Sequence, residues 1–174
     1  MISANTFIHQ ARSETYTGIP YSQLDCQAFI ERVLHDCGYN YDWRGSNHMW
    51  RDALSEKHPI TDINIIPAGA WLFTIKDDGG EVARGYHDDQ GNAAHVGIYL
   101  GNGDVRHSTS GSGKTNGVQM DKITSKRWTH YGLAKMITYD VLPDNPGYTL
   151  RDIITYLGDI PLREIIEIMR EVYR

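Results

Sequence analysis

The chain has 174 residues, enough for one domain with a sizeable core, and its 40% hydrophobic and 22% charged residues are ordinary for a globular protein. No apolar run approaches the roughly 18 residues of a membrane span, which argues against a membrane protein. A net charge of −5 without a long basic run argues against nucleic acid or an anionic membrane as the principal partner.

The first residues, MISANTFIHQARSETYTG, lack the basic stretch, apolar core and small-residue cleavage site of a secretory signal. The expectation is synthesis in the cytoplasm, with any release following another route. Residues 3–13 read as a short helix with Ile8 and Ala11 on its inner face, and the Gly-Pro punctuation of TYTGIPYSQ marks a loop. In LDCQAFIERVL, Phe29, Ile30, Val33 and Leu34 repeat at helical spacing, and Gly38 supplies a C-cap. A second short helix is expected to be capped by Ser46 or Asn47 and to run through Leu54. Pro67 and Gly69 make a turn into an apolar strand, Ala70 to Ile75, and the polar stretch 77–92 reads as an ordered lip or flap. AAHVGIYLG and DVRHSTS form a strand pair around GNG, followed by short strands in GVQMDKI and GLAKMITYDVL. From Pro143 the chain reads as a loop and two helices, the second capped by Asp159 with Pro161 in its first turn. Helices, then antiparallel strands, then helices make an α+β pattern. The expected division is a domain at 1–142 and a helical extension at 143–174.

The cysteines, Cys26 and Cys37, would stand about 16 Å apart along one helix, well beyond the Cα separation of about 7 Å that a disulfide tolerates, so both are expected as free thiols. Cys26 opens the helix, where unsatisfied N–H groups and the positive end of the dipole favour thiolate. Taken alone, a lone cysteine is more often a small buried hydrophobe, and Cys37, at the wrong end of the helix, keeps that reading.

A nucleophilic thiol needs a base, and the base needs a partner that holds its tautomer. Strand alternation puts His95, Gly97 and Tyr99 on one face and Val96, Ile98 and Leu100 on the other. A two-residue Asn102-Gly103 loop would set His107 opposite Ile98, on the wrong face. A three-residue loop, Gly101-Asn102-Gly103 with Gly103 left-handed, pairs Gly97 with His107 and lets the two imidazoles hydrogen-bond at a Cα separation of about 7–8 Å. The triad of Cys26, His95 and His107 requires that second register.

The segments LDCQAFIERVL, IPAGAWLF, AHVGIYLGNG and VRHST together resemble the NlpC-type cysteine peptidases of bacterial cell-wall metabolism, over roughly residues 3–140. The resemblance implies a papain-like fold, N-terminal helices packed on a central antiparallel β-sheet, here with an added C-terminal helical pair. It implies Cys26 as nucleophile, His95 as general base and acid, and His107 as the residue orienting His95. It also implies Asp25 as the contact for a substrate amine, and Tyr16 or Tyr21, with Tyr16 preferred, as the tyrosine that polarises the scissile carbonyl. The family has Ser-Gly after its cysteine, whereas Gln27 and Ala28 follow here, so Gln27 is expected on the groove floor. The implied reaction is hydrolysis of an amide in a peptidoglycan stem peptide, at a bond following γ-D-glutamate, through a thioester acyl-enzyme, with no cofactor and no metal. A phage-type lysin released through a holin fits the missing signal, as does recycling of wall fragments in the cytoplasm. An amidase or acyltransferase on the same scaffold, or an inactive binding module, are the competing readings.

Other motifs carry less. GSGKT at 111–115 resembles a phosphate-binding loop, but Ser108 stands where its first glycine belongs and no helical pattern follows. His95 and His107 lack a third ligand at a supporting spacing for a metal. His9, His35, His48, His58, His87 and His130 read as surface or partly packed, and Tyr41, Trp43 and Trp50 as core or groove wall. From Thr149 onward four arginines face five acids, which gives DNA little reason to bind, so the tail is expected to pack on the domain or to form a homodimer.

Overall fold

The computed structural model describes residues 1–76, 85–86, 88–110, 116–123 and 128–139. The expected C-terminal helical pair, the boundary at 142/143, most of the 77–92 flap, GSGKT and His87 lie outside the described residues.

The chain opens with a two-residue strand, β1 (Ile2–Ser3), and a helix, α1 (Ala4–Ala11). Ser3 caps α1 by accepting the Thr6 N–H at 3.1 Å, and Phe7 and Ala11 are fully buried on its inner face. A 3₁₀ turn, Glu14–Tyr16, and further turns lead to α2 (Cys26–Asp36). Asp25 caps α2, its carboxylate accepting the Ala28 N–H at 2.8 Å. Gly38, at φ +84°, ends it in a Schellman arrangement: Gly38 N–H donates to His35 O (2.8 Å) and Tyr39 N–H to Leu34 O (2.9 Å). Between these caps Phe29, Ile30, Val33 and Leu34 are completely buried, each side chain contributing about 1.5–3 kcal/mol.

The expected second helix is a short one. One helical turn, α3 (Ser46–His48), passes into a single π turn, Met49–Ala53, and then directly into an unexpected strand, β2 (Leu54–Pro59). Neither Ser46 nor Asn47 is its cap, because both side chains are taken up by the sheet. Ser46 Oγ donates to Ala93 O (2.6 Å), and Asn47 Oδ1 accepts the Ala93 N–H (2.9 Å).

The remaining strands are β3 (Trp71–Lys76), β4 (Asn92–Gly101), β5 (Asp104–Thr109), β6 (Gly117–Lys122), β7 (His130–Ala134) and β8 (Ile137–Thr138). Among the described residues, six form one sheet in the order β2-β7-β3-β4-β5-β6 with every neighbour antiparallel, and β8 pairs in parallel with β1. A strand, β6, follows GSGKT, where a phosphate-binding loop would require a helix.

Each face of the sheet is covered. Phe73, Val96, Ile98 and Leu100 share a core with α1 and α2, whereas Leu72, Tyr99, Val105, Trp128 and Tyr131 form a second cluster. The alternation expected along β4 is real from His95 to Leu100, and a bulge before His95 sets Ala93 in the same core as Val96 and Ile98.

The β4–β5 hairpin sets the register that matters. Asn102 and Gly103, at φ +52° and +78°, form a two-residue turn closed by the pair Gly101–Asp104. A bulge between Tyr99 and Gly101 then shifts the ladder, so that Tyr99 pairs with Val105 and Ile98 with Arg106. The loop is thus shorter than the expected three residues. The extra residue sits in β4 instead, and Gly97 still falls opposite His107.

Candidate active site

Three elements build the site: the N-terminus of α2, the start of β4, and the middle of β5. Ser108 Oγ, on the α2 side of β5, donates to Leu24 O at 2.5 Å and ties the loop before Cys26 to the sheet. Its neighbour His107 points to the other side, toward His95. One strand thereby holds both the loop before Cys26 and His107.

The sulfur of Cys26 is buried, with 7% of the residue exposed, yet it is surrounded by donors rather than sealed in hydrocarbon. The backbone N–H groups of Val96 and Gln27 donate to it, and the Tyr21 hydroxyl lies 3.9 Å away. Val96 is the residue after His95, so the thiol meets β4 one residue along the strand from that histidine. Burial pushes the thiol up, and the Asp25 charge adds to that, while the three donors pull it down without prevailing. The expected lowering at the helix start is therefore outweighed in the resting protein. Desolvation, absent from a spacing argument, is the larger effect.

His95 Nε2 and His107 Nδ1 are 2.9 Å apart, with the rings nearly perpendicular. His107 is completely buried, and its other nitrogen, Nε2, lies 3.0 Å from Asp121 Oδ2. The same oxygen accepts the Gln119 side-chain N–H at 3.1 Å. Trp128 stacks on His95 with ring centres 5.3 Å apart and meets His107 edge-on at 5.4 Å. Gly97 makes room for this packing: a Cβ there would stand 2.8 Å from Trp128 and 2.9 Å from the His107 Cβ.

The two tyrosines divide against expectation. Tyr16 is buried far from the thiol, donating to Asp36 Oδ2 at 2.9 Å, accepting from Gln10 Nε2 at 2.7 Å, and packing edge-on against Phe29. Asp36 ends the helix that Cys26 begins, which puts it about 15 Å from that cysteine. Tyr21 is the tyrosine at the sulfur. Burial, then the nearby Cys26, holds its hydroxyl up to about 12, so it stays a donor at any physiological pH.

The Gln27 side chain is bonded within α2 and to the loop that follows it. Its amide N–H groups donate to Glu31 Oε1 (2.7 Å) and to Trp43 O (2.5 Å), and Glu31 in turn accepts the Trp43 N–H. This bonding fastens the 39–43 segment to α2 and leaves the Gln27 side chain committed to structure. Asp25 is exposed beside the thiol and combines its capping bond with a negative charge that reaches Cys26 and Tyr21. Cys37, at the far end of α2, is a second free thiol. Trp43 and Trp50 are buried in the core, and Tyr41 is exposed against Trp43.

Asp121 and Trp128 escaped the sequence reading. Asp121 follows from the β5–β6 register, in which His107 pairs with Gln119 and Val105 with Asp121, but residue spacing alone does not reveal that register. Trp128 stands just before β7 and carries no periodic signal. Among the described residues, no three or more His, Cys, Asp or Glu side chains are grouped to hold a metal ion.

No family model and no curated protein matches the sequence. Solved structures do resemble it. The NlpC/p60 domain of the peptidoglycan hydrolase SagA superposes with a TM-score of 0.51 at 19% identity, covering 75% of this chain and 98% of that one. The peptidoglycan hydrolase RipB from Mycobacterium tuberculosis superposes with a TM-score of 0.51 at 16% identity, covering 76% of this chain and 67% of that one. At these identities the likeness speaks for architecture, and the chain has the NlpC/p60 fold, a papain-like α+β arrangement of helices on an antiparallel sheet.

Proposed function

We propose that the protein is a cysteine peptidase that hydrolyses amide bonds in peptidoglycan stem peptides. The observation that carries this reading is the 2.9 Å contact of His95 with His107 on the strand whose next amide, Val96, donates to the Cys26 sulfur. The fold shared with two peptidoglycan hydrolases supports the substrate class.

The chemistry follows from the bonding. With Nε2 of His95 engaged by His107, Nδ1 is the nitrogen that takes the thiol proton. Because burial keeps the resting thiol protonated, that transfer accompanies substrate binding and precedes attack. The thiolate then adds to the amide carbonyl. The Cys26 N–H, at the first helical position and without an intrahelical acceptor, and the Tyr21 hydroxyl hold the oxyanion. His95 returns its proton to the leaving amine, and the same nitrogen activates water to release the acyl group. Asp25, exposed and anionic at the mouth of the site, suits a free amine on the stem peptide, which agrees with cleavage after γ-D-glutamate.

Incubation with purified muropeptides and mass spectrometry of the products tests the reading. The expected result is a pair of fragments whose masses sum to the substrate plus one water, absent with Cys26→Ala. Transfer of the acyl group to an added amine in preference to water would assign an acyltransferase instead. Intact muropeptides would overturn the substrate class.

A further inference from the structure

We propose that Asp121 is a positioning residue that sets the tautomer of His107 and through it the proton placement on His95. The inference rests on the peptidase reading above, because it assigns a task within that mechanism.

A neutral imidazole has one donor and one acceptor, and which nitrogen holds the proton decides what its partner can do. His107 touches His95 through Nδ1 and Asp121 through Nε2. If Nδ1 carried the proton, His107 would point a donor at His95 Nε2. His95 would then keep its own proton on Nδ1, where the thiol proton has to go. If Nε2 carries it, His107 donates to Asp121 and offers a lone pair to His95 Nε2–H, leaving His95 Nδ1 as the basic nitrogen. Only the second arrangement lets His95 accept from Cys26.

Three features favour the second arrangement. The Asp121 oxygen facing His107 is an acceptor, and it is held in that role by the Gln119 N–H on the same atom. His107 is fully buried, so water does not compete to choose the tautomer. Trp128 packs against both imidazoles and, with Gly97 lacking a side chain beneath it, fixes the ring planes that direct each nitrogen. When His95 becomes positively charged, the order from the cleft inward is cation, neutral His107, carboxylate, which stabilises the charge without moving a proton onto Asp121.

Nitrogen-15 spectroscopy of the histidine rings in the unreacted protein tests this directly. The expected wild-type spectrum has His107 protonated at Nε2 and bare at Nδ1. Asp121→Ala should lose that fixed tautomer, slow alkylation of Cys26 by about tenfold to a hundredfold, and shift its pH profile, as expected when a residue behind the base is removed. Asp121→Asn should retain the tautomer and recover part of the rate, since its amide oxygen can stay under Gln119. His107 protonated at Nδ1 in the wild type would overturn the proposal. So would an unchanged tautomer and pH profile in Asp121→Ala, or Asp121→Asn behaving no better than Asp121→Ala. These readouts need no muropeptide, so a wrong substrate class and a wrong role for Asp121 give different results.

Discussion

Each end of α2 holds a cysteine, an aspartate and a tyrosine. At the N-terminus they are Cys26, Asp25 and Tyr21, and at the C-terminus Cys37, Asp36 and Tyr16. The residue types are the same, and their surroundings are opposite. Around Cys26, backbone N–H groups point at the sulfur and Tyr21 approaches it. At the other end, the Cys37 N–H is spent on the carbonyls of Val33 and Leu34, and Tyr16 donates to Asp36 rather than to a thiol. The dipole there is negative, and burial together with the Asp36 charge pushes the Cys37 thiol up. In the proposed mechanism, chemistry at the first end comes from the β4–β5 hairpin with its two imidazoles. The second end is built to terminate a helix.

The largest expected effect separates the two thiols. Cys26→Ala should lower kcat on muropeptides by roughly 10⁴-fold or more, whereas Cys37→Ala should leave it within a factor of about two. Comparable losses from both would dissolve the distinction. Next come the tyrosines. Tyr21→Phe should cost about 10²-fold in kcat with KM little changed, the loss expected for one oxyanion donor. Tyr16→Phe should leave kcat alone and lower unfolding stability by about 1–2 kcal/mol, measured by denaturant titration, because it removes a buried hydrogen bond to a carboxylate.

That stability cost has a predicted pH dependence. Burial raises the Asp36 carboxyl, but bonds from Tyr16, Arg32 and His35 outweigh it and hold the group below its ordinary value. A depressed carboxylate contributes above its unfolded pKa, and the contribution is lost as pH falls through the folded value. The difference between wild type and Tyr16→Phe should therefore be full near neutrality and shrink on acidification. The smallest effect is at the cap. Gly38→Ala, forced into φ +84°, should cost about 1 kcal/mol of stability and nothing in turnover.

What the sequence revealed depended on how strongly burial patterned it. The stripe on α2 and the alternation along β4 are written in apolar residues on one face, so both elements, and the shared face of His95 and His107, were legible. β2 was not: it is an edge strand reading LSEKHP, with only Leu54 buried, and its charges and terminal proline guard an edge instead of marking a core. The preference for Tyr16 failed because separation along a loop does not reveal direction. The turns between residues 14 and 24 carry Tyr21 to the sulfur and leave Tyr16 against the far end of α2. The bonding of Gln27 was not legible because Trp43 becomes its neighbour only when the following loop folds back. The thiol's pKa was misjudged because helix position is visible in a sequence and desolvation is not.

The pairing of Cys26 with His95 is tested most directly by the rate of Cys26 alkylation with iodoacetamide as a function of pH, in wild type and in His95→Ala. The wild type should show a reactive plateau near neutrality, set by transfer of the thiol proton to His95, with Cys37 far slower. In His95→Ala the plateau should vanish, leaving a single limb above the ordinary thiol range, where burial and Asp25 put the isolated Cys26 thiol. Identical profiles in the two proteins, each with only that high-pH limb, would contradict the account.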